Sequence, residues 1–412
     1  MAESVSGGGD GGDSGGPGRV LPRGAGLIGA AVGVVAAGTA VGIAVERLTI
    51  GRAVRRMARQ RDPGEVFGSL RGIPQTVVAP DGVELYVEVD DPYGRPRPLP
   101  GRRVALRAVP DPTTTGQRPT LLFTHGFCLP QDCWHYQRIE FSGDYRMVFW
   151  DQRGHGRSDR PKPGEELSVD TLGEDLHAVL EATCPTGPVV LVGHSMGGMS
   201  VLALAKLYPE LFGTRVVGTA LLATSGGRFD EAAFGLPKTG AKLFHRAAPG
   251  IFDLLAKQRA LVERSRRISG DIGLVLTKRY SFGTDVPEAV VRFVKDLIES
   301  TPIDVIAQFF PIFKRHDAIA AGEVVGRAPT LVLGAGRDLL LPPEHSEALA
   351  EAIPGAEYVQ LPEAGHVVIL ECPDEVNAAL RRLVSRAEES AAPDGRPPGG
   401  VPRRSRTKRS VQ

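Results

Sequence analysis

Cysteine is scarce in this sequence: there are four in 412 residues, Cys128, Cys133, Cys184 and Cys372. Thiols so few and so scattered neither staple a disulfide scaffold nor cluster as the ligands of a zinc site, and no other metal set is indicated. Cys128 and Cys133 are near enough in sequence to pair in an oxidising compartment, but two free thiols are expected. Net charge is also nearly absent. With 49 Lys and Arg against 48 Asp and Glu the balance is +1, which gives no electrostatic reason to expect nucleic acid as a partner. Long uncharged runs are few, and one of them is the 22 residues Gly24 to Val45.

At about 1.5 Å rise per residue that stretch would reach about 33 Å as a helix, close to the roughly 30 Å hydrocarbon thickness of a bilayer. Gly29/Gly33 and Gly38/Gly42 have the Gly-x-x-x-Gly spacing that lets membrane helices approach, a route to a homodimer. Arg19 and Arg23 precede the run, whereas Arg47, Arg52, Arg55, Arg56, Arg59 and Arg61 follow it. Basic flanks stay on the cytoplasmic side. The expectation is therefore an N-terminal membrane helix at 24–45, a single-pass cell-membrane location, and a folded part in the cytoplasm. A soluble cytoplasmic protein with a Gly/Ala-rich helix is one alternative. A secreted one, cleaved after the poor signal site Gly42-Ile43-Ala44, is another. Residues 1–23 are Gly-, Ser- and Asp-rich and expected to be disordered. Residues 46–71 read as a basic juxtamembrane linker. Residues 389–412 read as a disordered basic tail that includes Arg403, Arg404, Arg406, Lys408 and Arg409.

Between linker and tail the pattern is that of an α/β fold. Gln75-Thr76-Val77-Val78 and Val83 to Val89 alternate with period two about Pro80-Asp81-Gly82, an antiparallel hairpin. Segment 91–118 is Pro-, Arg- and Thr-rich and reads as loop, with a strand extension at Val104 to Val109. Strands at Thr120 to Thr124, Arg146 to Trp150, Pro188 to Val192 and Val216 to Leu222 then alternate with helices, among them Val169 to Ala182. That order predicts a mostly parallel sheet with helices on both faces. Residues 226–326 contain no clear buried strand. Helical segments at Leu254 to Leu276, Pro287 to Ile298 and Ile303 to Phe313 mark an inserted helical cap. The alternation resumes with strands Thr330 to Leu333 and Tyr358 to Leu361 and helices Pro343 to Ile353 and Asp374 to Arg386. The core is thus expected in two parts, 72–225 and 327–388.

The stretch Gly193-His194-Ser195-Met196-Gly197 lies between a predicted strand and a predicted helix, the setting of a nucleophile elbow. Gly-x-Ser-x-Gly alone is a weak pattern that also describes inert strand–helix turns. A serine hydroxyl needs a base within hydrogen-bond reach and an acid behind that base, in the chain order Ser, acid, His for this fold. His366 lies in the loop after the last strand and is the expected base. Asp338, just past the strand ending near Leu333, is the expected acid, with Asp230 as runner-up. An oxyanion needs two N–H donors. The amides of Met196, after the nucleophile, and Phe127, after the strand Thr120 to Thr124, are the candidates. The turn Asp151-Gln152-Arg153-Gly154-His155-Gly156 reads as a structural network near the site. Phe127 with Phe282, Phe293, Phe309, Phe310 and Phe313 suggests an apolar acyl pocket under the cap.

Together His125-Gly126-Phe127, Asp151 to Gly156, Gly193 to Gly198, Asp338 and Gly365-His366 resemble the α/β-hydrolase family, over roughly Thr76 to Arg386. The elbow and the His-Gly-Phe loop are also similar to those of cofactor-free haloperoxidases/perhydrolases and monoacylglycerol-lipase-like enzymes. The resemblance implies an eight-stranded, mostly parallel sheet with the second strand antiparallel, and a triad of Ser195, Asp338 and His366. It implies a serine hydrolase without cofactor or metal, acting on a small-molecule ester or lipid-like substrate. A perhydrolase or acyltransferase, a C–C-bond hydrolase, and a non-catalytic ligand-binding version of the fold are the alternatives. Cys128 stands where such loops often carry proline.

Overall fold

A computed structural model of the chain describes residues 66–92, 118–162, 166–227, Gly250 and 270–391. The stretch Gly24 to Val45 and the arginines after it, residues 93–117, Asp230, most of the helix expected at 254–276, and the residues after Ala391 lie outside the described residues. Among the described residues no helix is long and apolar enough to cross a membrane.

Strands β1 (Ile73–Val78) and β2 (Glu84–Asp90) form the expected antiparallel hairpin. Gly82 takes φ +84° in its turn, a conformation that glycine adopts without cost, and Asp81 Oδ1 accepts the Val83 N–H at 3.1 Å. Strand β3 (Thr120–Thr124) is followed by a 3₁₀ turn, Gln131–Trp134, and helix α1 (His135–Phe141). Periodicity did not predict these two elements. Their inward side chains include Gln137 and Arg138, and Arg138 is buried because it pairs with Glu88 and Asp90 at 2.7 Å each. Strand β4 (Met147–Trp150), helix α2 (Val169–Thr183), strand β5 (Val189–His194), helix α3 (Met196–Leu207) and strand β6 (Val216–Leu222) follow. Helix α2 starts at a capping box in which Ser168 Oγ accepts the Thr171 N–H at 3.1 Å.

Helices α4 (Gly270–Ser281), α5 (Glu288–Ser300) and α6 (Ile303–Lys314) lie between β6 and the next strand, where a helical insertion was expected. The short helix α7 (Gly322–Val325), strand β7 (Thr330–Ala335), helix α8 (Pro343–Ala352), strand β8 (Glu357–Leu361), the single turn α9 (Val368–Glu371) and helix α10 (Pro373–Ala391) complete the described chain. Helix α10 continues through Ala391, so the start of the expected tail is helical. Residues 66–71, read as linker, pack on the fold: Phe67 stacks on Phe293 of α5 at 5.1 Å.

The eight strands pair in the order β1-β2-β4-β3-β5-β6-β7-β8. β2 is antiparallel to both neighbours and every later pairing is parallel. Strands buried on both faces carry continuous apolar runs whose alternate residues serve opposite layers. Leu121, Phe123, Val190, Val192, Leu331 and Leu333 point into one core with Trp134, Phe149 and Leu380. Leu122, Leu191 and Val332 point into the other with Leu176, Val179 and Leu202. All four cysteines are free thiols. With the sheet fixed from both sides, the loops at the carboxyl ends of β3, β5, β7 and β8 are delivered to one edge, where ligands of open α/β sheets bind.

Candidate active site

Strand β5 ends at His194 and helix α3 begins at Met196, so the whole reversal falls on Ser195. Its backbone is left-handed, φ 52°, ψ −118°, which is strained for a residue with a side chain. The elbow is locked around that strain. Ser195 N–H donates to the Leu222 carbonyl at 2.9 Å, and Thr224 Oγ1–H donates to the Ser195 carbonyl at 2.6 Å. A Cβ on Gly197 would overlap the Thr124 carbonyl oxygen, and one on Gly193 would come within 2.6 Å of the Gly198 nitrogen. Glycine is therefore required where strand and helix backbones meet.

The expected base and acid converge on this serine. His366 Nε2 lies 2.9 Å from Ser195 Oγ, and His366 Nδ1 lies 2.7 Å from Asp338 Oδ2. An acceptor-only carboxylate at Nδ1 fixes the proton there and leaves Nε2 free to accept the serine proton. Asp338 is aimed by its second oxygen, which accepts the N–H groups of Leu340 at 2.8 Å and Leu341 at 2.9 Å. Ser195, His366 and Asp338 are all buried, at 7%, 7% and 3% exposure, so the array is shielded from bulk water. Asp230, the runner-up acid, lies outside the described residues, and the carboxylate bonded to His366 is that of Asp338.

The oxyanion candidates flank the serine. Met196 is the first residue of α3, so its N–H has no partner within the helix, and the positive end of the dipole points at the same spot. On the other side, a Cβ on Gly126 would come within 3.1 Å of Ser195 Cβ and 2.7 Å of His194 Nδ1, which puts the Gly126–Phe127 backbone against the elbow. Cys128 takes φ 59° there, a conformation closed to the proline usual in such loops, and the Leu129 N–H closes a turn on the Gly126 carbonyl at 3.1 Å.

Three buried histidines surround the array. His125 donates from Nδ1 to the Gly126 carbonyl at 2.8 Å and accepts the Gln152 N–H at Nε2, also at 2.8 Å. Burial holds it well below its ordinary pKa, so it remains a neutral brace of the loop. Gln152 extends the brace, donating to the His125 carbonyl at 2.6 Å and accepting Ser200 Oγ–H at 2.8 Å. His155 donates to the Arg153 carbonyl at 3.0 Å, and burial takes its pKa down to about 4. His194 donates from Nε2 to the carbonyl of His366 at 2.8 Å. Burial, then repulsion from His366, takes its pKa down to about 3, so His194 stays neutral beside the array. Its partner lies 172 residues away, which no local pattern reveals.

The Asp151 turn is a closed network. The Asp151 carboxylate accepts the Gln131 N–H at 2.7 Å and the Arg157 N–H at 2.9 Å, and burial pushes its pKa up to about 6. Arg153 forms a buried fork with Asp175 at 2.6 Å and reaches Asp81 at the same distance. Of the six phenylalanines expected to line one pocket, three meet. Phe127 stacks on Phe309 at 5.8 Å and meets Phe313 edge-on at 5.2 Å, beside Met196, Met199 and Leu341. Phe293 belongs elsewhere, on Phe67, and Phe282 packs with Ala364 and Val367. Among the described residues no group of three or more His, Cys, Asp or Glu side chains is arranged to hold a metal ion.

Known proteins are similar to this chain. A protein of Mycobacterium tuberculosis named as a non-heme bromoperoxidase is 29% identical over 261 residues, 61% of this chain and 87% of that protein. A protein of Pantoea ananatis named as a carbamate hydrolase is 28% identical over 280 residues, 65% of this chain and 88% of that protein. The solved structure of a thermophilic esterase from Thermogutta terrifontis superposes with a TM-score of 0.54 at 24% identity, covering 76% of this chain and 99% of that one, a likeness of fold. The family model of the alpha/beta hydrolase fold matches residues 119–373, more than half of the chain. By that match, and by the eight-stranded sheet with its serine elbow, the chain belongs to the alpha/beta hydrolase fold family.

Proposed function

We propose that this protein is a serine hydrolase that cleaves a carboxylic ester through an acyl-serine intermediate. The reading rests on one observation, the unbroken chain of contacts Ser195 Oγ to His366 Nε2 at 2.9 Å and His366 Nδ1 to Asp338 at 2.7 Å. In the proposed reaction Ser195 Oγ attacks the ester carbonyl carbon as its proton passes to His366 Nε2. The carbonyl π bond becomes an oxyanion, which the amides of Met196 and Phe127 stabilise. The oxyanion collapses, the carbon–oxygen bond to the alcohol breaks, and His366 gives its proton to the departing oxygen. Water then repeats the cycle on the acyl-serine: His366 takes its proton, the acid leaves, and Ser195 recovers its hydrogen. Asp338 keeps the imidazole in the required tautomer and offsets its transient charge.

The cluster of Phe127, Phe309, Phe313, Met199 and Leu341 beside Met196 supports an apolar, lipid-like acyl group. Ser195→Ala is expected to abolish turnover of p-nitrophenyl esters with an unchanged circular-dichroism spectrum; near-normal turnover in that variant would sink the mechanism. A second reading has a specific motive, the relative named as a bromoperoxidase. On the same acyl-serine, hydrogen peroxide in place of water would release a peracid and free serine. A peracid assay with acetate and hydrogen peroxide separates the two readings.

The proposal extends to location. The hydropathy of Gly24 to Val45 and the arginines that follow support one membrane span with the hydrolase on the cytoplasmic side. Retention in membranes through an alkaline carbonate wash is the expected result, and release by that wash would contradict it.

A further inference from the structure

The loop that carries His366 is tied to the helices inserted before β7, and one carboxylate spans the joint. Glu371 Oε1 accepts the N–H of Gly283 at 2.9 Å, the N–H of Thr284 at 2.6 Å and the hydroxyl of Thr284 at 2.7 Å. Its Oε2 accepts the N–H of Gly365, the residue just before His366, at 2.7 Å, and shares the Gly283 N–H at 3.2 Å. Residues 283–284 follow α4, and 365 belongs to the loop after β8, so one side chain closes two separate segments onto each other.

The backbones of those segments are in contact independently of Glu371. A Cβ on Gly365 would come within 2.5 Å of the Gly283 nitrogen, and one on Gly283 would overlap the Glu363 carbonyl oxygen. Val367 N–H donates to the Ser281 carbonyl at 2.8 Å, and Arg337 N–H donates to the Ala364 carbonyl at 2.9 Å. Within this frame the chain on each side of the His366 side chain has an anchor: Glu371 at the Gly365 N–H, one peptide before it, and His194 at the His366 carbonyl, 2.8 Å away.

We propose that Glu371 is a positioning residue for His366: its carboxylate clasps the end of α4 to the histidine loop and so sets where the imidazole stands between Ser195 and Asp338. The proposal rests on the triad reading above. The physical reason is the tolerance of the two imidazole contacts. Both ring nitrogens must keep hydrogen-bond distance at once, and a misplacement of about 1 Å costs on the order of 10²-fold in rate. Charge-assisted bonds to a carboxylate hold the backbone more stiffly than neutral ones, and removing the carboxylate strands three backbone N–H donors.

Glu371→Gln tests this, because it keeps the side chain's shape while removing its charge and replacing one acceptor oxygen by a donor. Active sites are counted with a fluorophosphonate, and kcat and KM for a p-nitrophenyl ester are expressed per labelled site, with Tm measured alongside. The expected result is a kcat per site lower by roughly 10–100-fold, a labelling rate constant lower by a similar factor, and KM within about threefold of the parent. Thr284→Val, which loses one bond and leaves the clasp, should lower kcat per site by about 2–5-fold and serves if Glu371→Gln does not fold. A kcat per site within twofold of the parent in the folded variant, with only Tm reduced, would make Glu371 a stabilising residue and overturn the proposal. A parent that labels while the variants are unchanged overturns the positioning role alone. A parent that does not label at all overturns the triad reading and this proposal with it.

Discussion

Ser195 and His366 face each other across 2.9 Å, yet they are held there in different ways. The serine's turn is encoded locally. The glycines that make room for its left-handed backbone, Gly193, Gly197 and Gly198, are within three positions of it, and the Leu222 carbonyl and the Thr224 hydroxyl then lock that turn in place. The histidine is held from afar. His194 reaches its carbonyl across 172 positions, Ser281 accepts from Val367, and Asp338 meets its ring across 28 positions. A nucleophile must sit at one fixed strained turn, which a few glycines can encode. A base must satisfy two partners at once, so its position is set by the packing of whole loops.

The largest effect that would sharpen this contrast is on the acid. A triad aspartate changed to asparagine costs about 10⁴-fold in kcat, because the imidazole takes the wrong tautomer. Asp338→Asn is expected to lower kcat by roughly that factor with Tm little changed, measured with a short-chain ester. A mild effect there, with Asp230→Asn crippling, would move the acid elsewhere.

At the local site the expected damage is to folding instead. Gly197→Ala puts a methyl group into the Thr124 carbonyl, a backbone atom that cannot turn aside. It is expected to destabilise by roughly 3 kcal/mol, read as a Tm lower by about 5–10 °C. A variant with parental Tm and turnover would mean that the elbow is looser than its geometry.

A smaller, graded effect separates the two regions by pH. His194 and His155 are neutral in the fold, with pKa values down to about 3 and about 4 because of burial, against about 6.5 when unfolded. Below pH about 6.5 the unfolded chain takes up protons that the fold refuses, so their contribution to stability is lost as pH falls toward 4 and then 3. Asp151, raised to about 6, works the other way: its contribution grows as pH falls through about 6 toward its unfolded value. The two histidines outweigh it. Calorimetry from pH 8 to pH 4 is expected to give a falling Tm below pH about 6.5, and a flat profile would contradict the neutral assignment of His194 and His155.

The same contrast explains what was legible in the sequence. The hairpin at Asp81-Gly82, the buried runs of β3 to β7 and the elbow are local patterns, so the sheet and Ser195 could be read from short windows. Asp338 and His366 were readable because chain order and the ends of strands point to them. The clasp of Glu371 and the anchor of His194 were not, because each exists only when distant segments meet. Helix α1 escaped for a related reason: its polar face is buried against Glu88 and Asp90, so its periodicity has the wrong sign. The six phenylalanines shared an expectation, but only tertiary packing separates Phe309 and Phe313, which meet Phe127, from Phe293, which meets Phe67.

The most direct test of the central claim is the mass of the protein after incubation with a fluorophosphonate, followed by mapping of the modified peptide. One adduct per chain is expected, on Ser195, absent in Ser195→Ala and formed far more slowly in His366→Ala. No adduct on the parent protein, or one carried by Ser200 or Ser225 instead, would contradict it.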